Sequence, residues 1–167
     1  GLKYAEQYIS EFNKNELNWF AFMENYVLLA LHSENYQLAD ILFHKVFDNS
    51  SFANISSSAK ERWKLFHAYY TLASSVRGYN AARIGIKNPF ILSLPEYSKD
   101  KQGFNVAILI LQFIYFLQRG DSEALLYRIE SLKKYILSHL KDTFSLRSKL
   151  FVKLLVLVVT EDYNPQL

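Results

Sequence analysis

With 167 residues, half of them apolar and 16% aromatic, the chain can bury a full core and is unlike a disordered segment. It has no cysteine, which excludes disulfides and thiolate metal ligands and suits a reducing, cytoplasmic compartment; five Gly and three Pro leave little punctuation for a many-turned sheet and favour long helices. The net charge of +3 is uneven, with three Lys/Arg against seven Asp/Glu over residues 1–50 and 16 against nine over residues 51–167, but no long block of like charge appears.

In chain order, Ala5, Ile9 and Phe12 share one face and predict a helix over Leu2–Phe12. Asn13 with Glu16 reads as a capping box ahead of a helix over Leu17–Leu31. That helix is apolar nearly all round, as if buried between neighbours. After the polar break His32–Asn35, the residues Tyr36, Ala39, Phe43 and Val46 line one face of a second helix. A Ser/Asn-rich loop follows, in which Asn49 and Asn54 open glycosylation sequons, read as accidents of composition in a chain without a visible secretory signal. Ser58 and Glu61 read as a further capping box for a helix over Ala59–Val76. Its apolar stripe is Trp63, Phe66, Tyr70 and Ala73.

Tyr79 and Ala82 repeat the spacing of Tyr36 and Ala39 and predict a helix from Tyr79 to about Lys87. Pro89 and Pro95 then disfavour one continuous helix, and Asn88–Gln102 reads as an irregular insertion between repeats. Phe104–Leu117 is apolar except for Asn105 and Gln112. Arg119–Gly120–Asp121 makes a turn, Ser122–Leu140 forms a partner helix with Glu130 and Lys134 at ion-pair spacing, and a last helix covers Thr143–Thr160. The apolar run Val106–Leu117 is too short to cross a bilayer, so no membrane insertion is expected.

The pair of helices over residues 18–49 resembles the tetratricopeptide repeat, a two-helix unit of about 34 residues. Tyr36, Ala39, Phe43 and Val46 match its aromatic, small, aromatic and small positions. Tyr26, Val27 and Ala30 occupy packing positions of the first helix, although Val27 stands where the family has glycine. Ser50 and Ser51 stand where it has proline. Ala5 precedes Ala39 by 34 residues, whereas Ala82 follows Ala39 by 43 and Ala124 follows Ala82 by 42, a period closer to HEAT-type solenoids. The resemblance implies an all-α fold, with antiparallel helical hairpins stacked as a right-handed α-α superhelix. It spans a single repeat domain over residues 1–167, read as part of a longer protein. Solenoid ends without capping repeats imply possible homodimerisation.

No enzyme is expected: His32, His44, His67 and His139 are isolated, and no phosphate loop, nucleophile elbow or zinc motif occurs. Neither a cofactor nor a metal is expected. The resemblance implies a protein-interaction scaffold whose concave groove is lined by the first helix of each pair. Polar stripes on those helices place Lys64, His67, Thr71 and Ser74, then Asn105, Ile108, Gln112 and Tyr115, then Ser145, Lys149 and Lys153 along it. Polar side chains on otherwise apolar helices need a solvated or partner-facing side. Their mix suits an acidic or C-terminal peptide. The alternative is a nucleic-acid-associated or regulatory helical domain using the basic residues of the C-terminal two-thirds, among them Arg77, Arg83, Lys87, Lys133 and Lys134.

Overall fold

The computed structural model describes residues 1–76, 78, 90, 104–139 and 146–160, and the chain divides into two compact units, Gly1–Asn88 and Pro89–Leu167. The first unit holds helices α1 (Leu2–Tyr8), α2 (Leu17–His32), α3 (Tyr36–Phe47) and α4 (Ser57–Val76). The second holds α5 (Phe104–Arg119), α6 (Ser122–His139) and α7 (Leu146–Thr160). The described residues are all-α, without a strand. Within each unit, helices consecutive in sequence pack on one another, α1 through α4 in the first and α5 through α7 in the second. The helix expected from Tyr79, with Ala82, and the irregular segment other than Phe90 lie outside the described residues.

Two hairpins, α2–α3 and α5–α6, are closed by the same backbone device. At the end of α2, the amide of Asn35 donates to the carbonyl of Ala30 at 2.9 Å and that of Glu34 to Leu31 at 3.0 Å. At the end of α5, the amide of Asp121 donates to Phe116 at 3.1 Å and that of Gly120 to Leu117 at 3.2 Å. Both are Schellman closures, which need a left-handed residue just past the helix. Glu34 supplies it with φ 54° and Gly120 with φ 67°. The next residue caps the second helix in each case: Asn35 Oδ1 accepts from the amide of Leu38 at 3.1 Å, and Asp121 Oδ1 from Ala124 at 3.0 Å.

Superposing these turns in sequence sets an offset of 86 residues, and every buried position of the first hairpin then falls on a buried position of the second. Trp19, Phe20, Met23, Tyr26, Val27 and Ala30 of α2 map onto Asn105, Val106, Leu109, Gln112, Phe113 and Phe116 of α5. Ala39, Leu42, Phe43 and Val46 of α3 map onto Leu125, Arg128, Ile129 and Leu132 of α6. Ala39 is fully buried, as close helix crossing demands. Its counterpart is the buried Leu125 rather than Ala124, which is half-buried. Matching alanine to alanine shifts the register by one residue, from the 86 that the two turns set to 85.

Local details differ from the sequence reading in three further places. Asn13 and Glu16 do not cap α2: Asn13 closes a turn, accepting from the amide of Asn15 at 3.1 Å and donating to Glu16 Oε1 at 3.2 Å. Glu16, in extended conformation, is the residue before the helix and makes no side-chain cap. For α4 the cap is Ser56, whose hydroxyl accepts from the amide of Ala59 at 3.2 Å, so the helix starts ahead of the expected Ser58–Glu61 box. Glu130 pairs with Lys133 at 3.1 Å, a contact at i,i+3 spacing that the sequence reading did not name.

Candidate functional site

The first unit opens a cleft of about 480 Å³ between α2 and α4. Leu17, Phe20, Ala21 and Glu24 form its α2 wall, three and four residues apart and therefore on one helix face. Ala59, Arg62 and Trp63 form the α4 wall with the same spacing, and Asn54, Ile55 and Ser56 close one end. The walls are mostly apolar: Phe20 and Trp63 are buried in the core beneath, while Leu17 is exposed.

A short 3₁₀ segment, Ser50–Asn54, carries the end wall. Asn49 anchors it twice, accepting from the amide of Ser51 at 2.8 Å and donating to the carbonyl of Lys14 at 2.9 Å. The Ser51 hydroxyl donates to Asn15 at 3.1 Å, and Lys60 Nζ donates to the carbonyl of Ala53. These bonds tie the loop to the segment before α2, so the rim is fixed from both sides. They also commit the Asn49 amide group, the nitrogen a glycan would occupy.

One ion pair spans the cleft. Arg62 Nε stands 3.0 Å from both carboxylate oxygens of Glu24, with the two side chains 32% and 22% exposed. Charge-assisted contacts of this kind fix geometry, while partial solvent screening keeps the stabilisation modest. Glu24 is the sole charged residue between Leu17 and Leu31. An ionisable group inside such an apolar helix is the signal that could have marked this site in the sequence.

The polar stripe of α4 lies elsewhere. His67 is buried, its ring edge-on to Phe43 at 5.1 Å and to Phe47 at 5.5 Å, both from α3. Its Nε2 is buried with no hydrogen-bond partner among the described residues. Burial pushes the imidazole below its ordinary pKa, partly opposed by the Asp40 carboxylate and reinforced by His44. Ser74 is also buried and donates to the carbonyl of Thr71 at 3.1 Å. Trp63, His67, Tyr70 and Ser74 thus make one line along α4 toward α3. Lys64 and Thr71 are exposed, about 100° round the helix from Trp63 and away from the Arg62 flank. None of these four expected groove residues lines the cleft.

In the second unit, Asn105, Ile108 and Gln112 are buried and Tyr115 is half-buried. By the turn register Asn105 and Gln112 occupy the positions of Trp19 and Tyr26. Gln112 donates through Nε2 to the carbonyl of Phe90, which ties α5 to that residue. Tyr115 accepts from Arg119 at 3.0 Å, with the guanidinium 5.5 Å from its ring centre. Lys153 of α7 is exposed. Ser145 and the side chain of Lys149 lie outside the described residues, as do Arg77, Arg83 and Lys87.

Among the described residues no group of His, Asp and Glu could hold a metal ion, and no helix is long and apolar enough to cross a membrane. No protein-family model, curated protein or solved structure matches this chain.

Proposed function

We propose that the chain is a non-catalytic interaction scaffold, a right-handed α-α superhelix of tetratricopeptide-like hairpins, that seats a peptide or helix of a partner protein against α2 and α4. The observation that supports this reading is the cleft itself. It lies between α4 and α2, the first helix of the α2–α3 hairpin, it has mostly apolar walls, and Glu24 and Arg62 pair across it. A leucine- or phenylalanine-sized anchor fits such walls, and an acidic neighbour on the same segment would compete with Glu24 for Arg62.

Peptides selected from a random display library on the wild-type chain provide the test. Ala21→Trp, which fills the cleft, and Arg62→Glu, which repels an acidic neighbour, should each weaken the selected peptides at least tenfold, about 1.4 kcal/mol. Circular dichroism checks that both variants keep the helical fold. Equal affinity of wild type and folded Ala21→Trp would rule out the cleft. Tight oligonucleotide binding that falls steeply with salt would favour the nucleic-acid reading instead.

A further inference from the structure

At one place the turn register exposes a change of chemistry between the two hairpins. The first hairpin has Ala30, Ile41 and Leu42; the second has Phe116, Tyr127 and Arg128 at the same positions. Leu42 is 1% exposed and Arg128 8%, so a guanidinium sits where the sister hairpin buries an aliphatic side chain. Its carbon lies 5.7 Å from the ring centre of Phe116 and 5.3 Å from that of Tyr127. Its Nε and Nη1 are buried with no hydrogen-bond partner among the described residues.

Arginine cannot shed its proton inside a protein, and an uncompensated buried charge is strongly destabilising. The two rings offset part of that cost through cation–π attraction, but a ring face satisfies no N–H donor. Among the described residues of the hairpin, Asp121 caps α6, Glu130 pairs with Lys133, and Glu123 stands in the first turn of α6. Tyr127 is 56% exposed, so one of the two rings beside the guanidinium stands at the surface.

We propose that Arg128 is the anchor of a carboxylate-binding site walled by Phe116 and Tyr127. A planar carboxylate matches the guanidinium fork and slides between two rings. A phosphate, bulkier and more highly charged, calls for several cations. This site is independent of the cleft between α2 and α4, and either can fail without the other.

The test uses the full 167-residue chain. Arginine Nε–H resonances are followed during titration with sodium glutarate, against sodium chloride at matched ionic strength. The Arg128 signal is identified by its loss in Arg128→Leu and in Arg128→Lys. Glutarate should shift that signal saturably and raise the melting temperature of wild type, with no such rise in Arg128→Leu. Arg128→Lys keeps the charge without the fork and should bind at least tenfold more weakly. A tetraglutamate peptide that binds more tightly than glutarate assigns the carboxylate to a polypeptide, and the reverse order assigns it to a small acid. A shift no different from that with chloride overturns the proposal, as does a tighter response to sodium phosphate than to glutarate. Should Arg128→Leu fail to fold, the wild-type resonance, assigned through Arg128→Lys, still decides.

Discussion

Glu34 and Gly120 hold the same left-handed backbone position, yet only one of them is a glycine. For an L-residue that conformation costs about 1–2 kcal/mol. A Cβ on Gly120 would meet nothing within 4 Å, so its replacement tests the backbone alone. Gly120→Ala should therefore lower stability by about 1 kcal/mol, read from the denaturation midpoint at unchanged slope. Glu34 shows why the repeat register was only partly legible in the sequence. The break His32–Asn35 was visible as a polar interruption, but a glutamate gives no sign that it turns the chain left-handed. The alanine at position 124 offered a false landmark one residue short of Leu125.

At the scale of an element, α4 shows what pattern reading can and cannot resolve. Its length and apolar stripe follow from helical periodicity, and Trp63 and Tyr70 are buried as that stripe requires. Their polarity and spacing place His67 and Ser74 among the expected groove residues. Ser74 instead satisfies its hydroxyl on its own helix, and His67 lies among Phe43, Phe47 and Tyr70. The cleft has the opposite signature in sequence: its walls include Phe20 and Trp63, large apolar residues that have the pattern of core. Burial of His67 also has a consequence for pH. Its folded pKa lies below the ordinary 6.5, so the unfolded chain takes up a proton that the folded chain resists. The contribution to stability is full above about pH 6.5 and declines as pH falls below it, until the lowered folded pKa is passed. Asp40, which accepts from the Tyr70 hydroxyl at 3.0 Å, and His44 face the same cluster. Urea midpoints measured from pH 7.5 to 5 should fall in wild type, and His67→Phe should flatten that decline.

For the whole molecule, the all-α character and the hairpin order were legible because 3.6-residue periodicity survives without any knowledge of neighbours. The division into units at Asn88 was not, since the proline-bearing stretch read as an insertion within one array. A further expectation concerns α7, where Leu150, Phe151, Leu154 and Leu157 are all exposed. Clustered apolar side chains on a single helix promote association. Light scattering at rising concentration should show self-association of wild type, and Leu154→Glu should reduce it. Purely monomeric behaviour of wild type would count against a sticky α7.

The brevity of the two turns bears on how the chain is made as well as on what it becomes. Three residues join α2 to α3 and two join α5 to α6. Partners this near in sequence meet with little loss of loop entropy, and topologies dominated by neighbours fold in microseconds to milliseconds. Synthesis at about 5–20 residues per second leaves seconds between the emergence of α3 and that of α6. The first hairpin can therefore be closed, with Ala39 already against its neighbours, while its sister is still being translated.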